Sequence, residues 1–270
     1  MRGAMSELRR VVAPNGVVVF QSSILSEAGF GHGFSTRVGV GNSNFDLALP
    51  TPQVQVGQDV YALRLRQLLD ACGLGGRIAI CARQVHGAAA LDGDRTEPMD
   101  SRQSSPLPEA DAIVSSDARR AVAIRTADCV GVLLASPDTG TVAAVHAGWR
   151  GIVAGVVERA VEAVRARSSG PMLAAIGPSV SCSRYEVGEE VATAFVGAGL
   201  EEHVVRTGHL RVDCHGAVRS LLRRAGLVDV NIDGEPLCTV SDPIHFFSHR
   251  RDGTASGRLL ALIGASAVAQ

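Results

Sequence analysis

The chain has 270 residues, 46% of them hydrophobic, which is ample apolar side chain for a substantial core in one large domain or two small ones. Lys and Arg number 26 against 27 Asp and Glu, a net charge of -1, which argues against a broad nucleic-acid surface or a membrane-binding face and favours small ligands. Six cysteines, at 72, 81, 129, 182, 214 and 238, form no C-x-x-C pair and read as reduced thiols.

Met1 to Arg10 is polar, and the first apolar run, Gly16 to Phe20, is too short for a secretory signal or a membrane span, so a cytoplasmic location is expected. Gly16 to Gln21 reads as a strand. Gly31 to Arg37 then joins flexible backbone to His32, Arg37 and hydroxyls, and suits either a solvated turn or a binding loop. Gln58 to Cys72 is helical, with Val60, Leu63, Leu68 and Leu69 on one side and Gly73 as the stop. Arg77 to Cys81 alternates as a strand and delivers Ala82 to Gly87, where His86 is either an ordinary loop histidine or a metal ligand. Residues 92–109 hold three prolines and mixed charge, which predicts a long mobile loop able to serve as a lid. Asp111 to Ser115 and Ala121 to Arg125 read as strands.

The stretch from Arg125 to Gly151 organises the rest. Two apolar runs, Cys129 to Ala135 and Thr141 to Ala147, flank the turn sequence Pro137-Asp138-Thr139-Gly140, in which Pro presets φ and Gly accepts a positive φ. With those four residues as the loop of a β-hairpin, Ser136 pairs with Thr141 and Gly131 falls opposite His146. Cys129 then lies on the same face as His146 and diagonal to it, roughly 7–8 Å away along the backbone. A thiolate and an imidazole so placed suit one shared metal ion, with Gly131 leaving the space between them open. The plainer reading is a core hairpin with Cys129 as a small hydrophobe and His146 as a buried histidine. After Gly148-Trp149-Arg150-Gly151 a helical pattern follows, with Ile152, Val153, Val156, Val157, Ala160, Val161 and Val164 at helical spacing. Its first amides, beside Arg150, would form an anion-binding side to the pocket.

Farther on, Met172 to Ile176 reads as a buried strand and Tyr185 to Val191 as the start of an amphipathic helix. Asp213 reads as the N-cap of a helix that buries Val218, Leu221 and Leu222 and stops at Gly226, and Val228 to Ile232 as a strand. Between Cys238 and Arg258, three arginines and His249 crowd beside Phe246-Phe247 before a last strand, Leu259 to Ile263. That charge run is either a solvated face or a bidentate phosphate holder.

The set Q-V-H-G at 84–87, A-D-A at 110–112, T-A-D-C at 126–129, H-A-G-W-R-G at 146–151, I-G-P at 176–178, Y-E-V-G at 185–188 and F-S-H-R-R-D-G at 247–253 resembles the YfiH-type laccase-domain family. The resemblance implies an α+β fold, one domain over 1–270 with its core from about 14 to 266, in which mixed β-sheets are covered by helices. It also implies a zinc ion held by His86, Cys129 and His146, three ligands that leave a fourth position open. Three departures stand away from those ligands: Gly131 where Pro is common, Asp46 in Phe45-Asp46-Leu47 where Asn is usual, and Arg184 where Cys is frequent.

The function this resemblance implies is zinc-dependent phosphorolysis of purine nucleosides (adenosine, inosine, methylthioadenosine), with adenosine deamination as a second activity. Its partners would be small molecules, a purine nucleoside and phosphate, with neither nucleic acid nor membrane. Asp128 is a candidate proton carrier, although strand alternation also allows it a structural role. Arg37, Arg150 and Arg251 are the candidates for holding phosphate. A second reading makes Cys129 a nucleophile and His146 its base in a metal-free Cys-His hydrolase acting on cell-wall peptides or nucleotide precursors. A third, copper-dependent polyphenol oxidation, suits a His₂Cys set but lacks a second histidine-rich cluster, and a fourth makes the metal purely structural.

Overall fold

The structure is a computed structural model that describes residues 7–49, 57–98 and 107–266. Among these the strands run β1 Leu8–Val12, β2 Val18–Ser22, β3 His32–Ser35, β4 Ile78–Ile80, β5 Ala90–Asp92, β6 Ala112–Ser115, β7 Arg120–Thr126, β8 Val130–Ser136, β9 Thr141–Ala147, β10 Leu173–Ile176, β11 Val204–Val205, β12 Arg211–Val212, β13 Ile232–Asp233 and β14 Leu259–Gly264. The helices are α1 Ser23–Glu27, α2 Gln58–Ala71, α3 Trp149–Val153, α4 Val156–Arg165, α5 Glu189–Gly197, α6 Cys214–Arg224 and α7 His249–Asp252.

Two mixed sheets stack face to face, which makes the fold α+β. The first has the order β1-β2-β3-β14-β7-β4 and is antiparallel except for the β4–β7 pair. The second has the order β13-β10-β8-β9-β6-β5, with parallel pairs at both edges. Strands β7, β8, β9 and β14 are buried at nearly every position, so both faces of each sheet are covered. Alternation sorts their side chains into layers. Ile124 and Ala261 of the first sheet meet Leu133, Val142 and Ala144 of the second in the middle of the sandwich. The outer face of the first sheet, with Ala123, Leu260 and Leu262, lies under α2 and Leu74. The outer face of the second, with Val132, Leu134 and Val145, lies under α4 and α6.

Helix α4 shows why the covering holds. Val156, Val157, Ala160, Val161 and Val164 form one buried stripe while Arg159, Glu162 and Arg165 face water. Burying each valine contributes on the order of 1.5–3 kcal/mol, so a charge at Val161 would strip the second sheet of its cover.

Several sequence expectations need correction. The helix after Trp149 is two helices, because Gly155 takes a left-handed φ of 86° and breaks the run between α3 and α4. On α2 the buried stripe is Tyr61, Leu68 and Leu69, with Leu65 partly buried, while Val60 and Leu63 are exposed. Residues 185–188 are not helical, and α5 starts only at Glu189. Val228 to Asn231 is a loop and one 3-10 turn, leaving a two-residue β13. The Gly31–Arg37 loop is largely β3, with His32 buried: its Nε2 accepts from the Ser22 amide at 2.7 Å and its Nδ1 donates to the Phe30 carbonyl at 2.8 Å. In the segment read as a lid, Arg167 pairs with Asp92 and Asp94, and Arg120 donates to the carbonyls of Gly93 and Thr96. Residues 99–106 lie outside the described residues.

Candidate active site

The hairpin β8–β9 has the register that the turn sequence demands: Ser136 opposes Thr141 and Gly131 opposes His146. Gly131 serves a purpose other than the expected one. A Cβ there would come within 3.2 Å of Ala261 Cβ and 3.3 Å of Ile124 Cδ1, so the missing side chain lets the first sheet approach and does not hold space for a ligand.

His146 ends β9 with its ring held from behind. Its Nδ1 lies 2.8 Å from Asp111 Oδ1, and its amide donates to the Asp111 carbonyl at 2.7 Å. Asp111, fully buried, also accepts from the amides of Val85, His86 and Gly87 at 3.1, 3.0 and 2.7 Å. One carboxylate therefore fixes the ring of His146 and the loop that carries His86, which is held at a left-handed φ of 59°. With Nδ1 engaged, the Nε2 of His146 is the atom left for a ligand role.

Cys129 is aimed by its neighbour. Asp128 adopts a φ of 93°, and its buried carboxylate accepts from Thr239 Oγ1 at 2.6 Å and from the Arg250 amide at 2.5 Å. Its carbonyl accepts from the Val180 amide at 2.9 Å. Both carboxylate oxygens are thus engaged in holding the turn before β8, the structural role that strand alternation also allowed for Asp128.

The donor atoms of His86, Cys129 and His146 lie within 4.8 Å of one another, with Cys129 Sγ 3.9 Å from His86 Nε2. The two imidazoles meet edge to face, their centroids 4.8 Å apart. Bonds of about 2.0–2.3 Å to a shared ion would draw the three atoms in slightly. Gly148 supplies the room, because a Cβ there would sit 2.8 Å from His86 Cδ2 and 3.1 Å from Cys129 Sγ. A thiol and two imidazoles, the only such ligands grouped there among the described residues, fit a transition-metal ion with an open position.

The electrostatics describe a thiolate–imidazolium pair, in which Cys129 is ready to ligate and His146 must first release its Nε2 proton. Burial alone would raise the Cys129 thiol, but the charge of His146 and hydrogen bonds from His146 and His86 bring it down to about 6. Burial works against the charged form of His146, yet the Cys129 charge and the Asp111 hydrogen bond raise it to about 9. Burial would also raise Asp111, and its hydrogen bonds from His146, Gly87 and Val85 outweigh that and lower it.

These three residues line a cavity of about 990 Å³ whose remaining wall includes Asp46, Arg64, Gln84, Arg125 and Arg258. Gln84 clamps the strand there, donating to the Arg125 carbonyl at 2.7 Å and accepting from the Arg125 amide at 2.8 Å. The arginines singled out from sequence do not line this cavity. Arg37 donates to the Pro243 carbonyl and lies 4.8 Å over the Phe247 ring. Arg150 is exposed and stacks 4.5 Å over Trp149. Arg251 spends its guanidinium on the carbonyls of Thr239, Val240 and Phe246 and on Asp252. Asp111 was within reach of sequence reading, as the only acidic residue of A-D-A beside a strand. Arg64, Arg125 and Arg258 carried no local pattern.

Residues 31–266 match the family described as multi-copper polyphenol oxidoreductase laccase. The purine nucleoside phosphorylase of Xylella fastidiosa (strain Temecula1) is 45% identical over 184 residues, 67% of this chain and 69% of the relative. The purine nucleoside phosphorylase of Deinococcus radiodurans is 34% identical over 236 residues, 86% and 88% of the two chains. Adenosine deaminase RL5, from an unknown prokaryotic organism, is 34% identical over 214 residues, 75% and 82% of the two chains. The crystal structure of YlmD from Geobacillus stearothermophilus superposes with a TM-score of 0.84 at 25% identity, covering 97% of this chain and 100% of that one. That of the Bacillus licheniformis protein YfiH superposes at 0.79 and shares the fold.

Proposed function

The chain belongs to the multi-copper polyphenol oxidoreductase laccase family, and on that premise we propose that it is a zinc-dependent purine nucleoside phosphorylase that also deaminates adenosine. Adenosine, inosine and methylthioadenosine are the nucleosides assigned to it, with phosphate as co-substrate and the cytoplasm as its location. The observation that carries the reading is the convergence of His86, Cys129 and His146 on a cavity of about 990 Å³, room enough for a nucleoside and phosphate together.

In the phosphorolysis a phosphate oxygen forms the bond to C1′ as the C1′–N9 bond breaks. The electron pair of that bond leaves with the purine, which takes up a proton from dihydrogen phosphate or water. His86, Cys129 and His146 would hold the zinc, which when bound supplies a Lewis acid and makes water acidic enough to ionise near neutral pH. The chain's own part is positioning. Asp111 keeps the Nδ1 proton of His146 and so directs Nε2 into the site, and Gln84 fixes the strand that carries Arg125.

Metal analysis of the purified protein, paired with chromatography of adenosine incubated with and without phosphate, tests the reading. Free base and sugar 1-phosphate should form only with phosphate, and inosine under both conditions. Absence of free base in the zinc-loaded protein would remove the phosphorylase reading.

One observation favours a second reading. A thiol at about 6 beside an imidazole at about 9 is, without metal, an ion pair suited to nucleophilic attack by Cys129. A Cys-His hydrolase of that kind is insensitive to chelators and is inactivated by thiol alkylation. Copper fits the same ligand set. Among the described residues, however, this is the one group of three such ligands, which leaves multicopper oxidation without its second cluster.

A further inference from the structure

The cavity has a charged wall that the metal ligands do not use. Leu260 lies opposite Arg125 in the β7–β14 ladder, and Arg258 stands two residues before Leu260. Both arginines therefore belong to the same face of the first sheet, the face covered by α2, on a diagonal of about 7–8 Å. Arg64 arrives on that face from α2 itself.

Asp46 ties the group together. Its carbonyl accepts from Arg64 Nη1 at 2.9 Å, and its Oδ1 accepts from the amides of Arg258 and Ala48 at 2.8 and 2.9 Å. It is the one carboxylate among the described residues lining the cavity. The charge of a fourth arginine, Arg83, is already matched by Glu109. Arg258 donates from Nη1 to the carbonyls of Ser256 and Gly257 at 2.8 and 3.1 Å, bonds that fix the side chain without neutralising it, so three guanidinium charges share a wall with one carboxylate, half of which is spent on backbone amides.

Arg125 sharpens the imbalance. It is 9% exposed, its Nη2 donates to the Ala82 carbonyl at 2.7 Å, and its buried Nη1 has no acceptor. The Tyr61 hydroxyl lies near enough to feel the guanidinium but makes no hydrogen bond within normal geometry. Arg125 Nη1 has no accessible surface and does not itself touch a ligand in the cavity, but its charge adds to those of Arg64 and Arg258, and like charges around one cavity are eased by an anion among them. Guanidinium groups are also the side chains best matched to the oxygens of a phosphate.

We propose that Arg64, Arg125 and Arg258 form an oxyanion subsite that takes a phosphate group. Its role in turnover rests on the phosphorylase reading, whereas its existence does not. The phosphate is either free, as the attacking co-substrate, or esterified on the sugar of a nucleoside 5′-monophosphate.

Calorimetric titration of the metal-loaded full chain with inorganic phosphate tests the proposal without turnover. Arg64→Gln and Arg258→Gln should each weaken phosphate binding by about 10-fold or more, the usual loss for a hydrogen bond to a charged group. Adenosine binding should stay within about twofold, since no arginine–phosphate contact is lost. Arg159→Gln, an equal change of charge on the outer face of α4, should leave phosphate binding unchanged, and Arg258→Lys should retain part of it. Adenosine monophosphate identifies the source: tighter binding than adenosine, lost in Arg258→Gln, assigns the subsite to an esterified phosphate and supports it equally. Wild-type phosphate affinity in the Arg64→Gln, Arg258→Gln double variant overturns the subsite, even if phosphorolysis persists. Arginine-dependent phosphate binding in a protein that never releases free base would instead sustain the subsite and sink the phosphorylase reading.

Discussion

The metal-ligand wall and the arginine wall line one cavity but are assembled in different ways. On the first, Cys129 and His146 come from the two strands of one hairpin, and Asp111 binds His146 and the His86 loop through four hydrogen-bond donors. Its geometry is set by the backbone. On the second, Asp46, Arg64, Arg125 and Arg258 come from four distant segments, and long flexible side chains do the reaching. A metal set needs ligand atoms fixed to a fraction of an ångström, whereas an oxyanion subsite tolerates movement because guanidinium groups can follow the anion.

The largest effect should come from the metal-ligand wall. Cys129→Ser, His86→Ala and His146→Ala each remove one of three bonds to a shared ion, so metal affinity should fall by about 100-fold or more, beyond the loss typical of an outer partner. Any double variant should be scarcely worse than a single one once the metal is gone. Elemental analysis and activity should fall together. A His86→Ala protein that keeps near-full activity and never contained zinc would make the two walls equivalent and return Cys129 to the nucleophile reading.

Next in size is a test of what makes His146 a ligand. His215 is also buried, on α6, but among the described residues no carboxylate is hydrogen-bonded to its ring, and its Nε2 is unpaired. Burial first, then the charge of Arg219, pushes it down to about 4, while Asp213 only partly opposes them. Because the unfolded chain binds this proton near 6.5 and the folded chain only near 4, its contribution to stability is complete above 6.5 and is lost as pH falls towards 4. The loss over that window is on the order of 3 kcal/mol. His215→Leu should move the acid unfolding midpoint to lower pH. An unchanged midpoint would mean that His215 does not titrate as its burial requires.

Asp111→Asn should follow, at about 10- to 100-fold in metal affinity, the usual range for a carboxylate behind a ligating histidine. The amide cannot accept from the Val85, His86 and Gly87 amides and hold the His146 proton as well. Zinc affinity measured by chelator competition should drop while the fold survives. Wild-type affinity would show that the hairpin alone sets the site.

How much of this was legible in the sequence follows from the same contrast. The hairpin register could be counted from Pro137-Asp138-Thr139-Gly140, because a four-residue turn fixes every pair beyond it, and the caps at Gly73, Asp213 and Gly226 were equally local. The arginine wall was hidden because its members meet only through the β7–β14 ladder and α2. Local density pointed instead to Arg251, whose charge is matched by Asp252 in a bidentate pair. For Asp128 the sequence left two roles open, proton carrier or structural residue, because its positive φ and its bonds to Thr239 and Arg250 depend on distant segments.

The smallest effect should be that of Arg150→Ala, which from sequence alone would be expected to weaken phosphate. Arg150 stands at the start of α3, a helix of five residues, where a basic side chain beside free amides suggests an anion site. In the fold its guanidinium lies on the Trp149 ring, exposed and outside the cavity, and an exposed stack of that kind is worth only about 0.5–1 kcal/mol of local stability. Phosphate affinity should therefore change by less than about twofold, against the 10-fold or greater loss expected for Arg258→Gln. Titrating both variants side by side gives the comparison directly. A tenfold loss at Arg150 with none at Arg258 would move the anion to α3 and dissolve the distinction between the two walls.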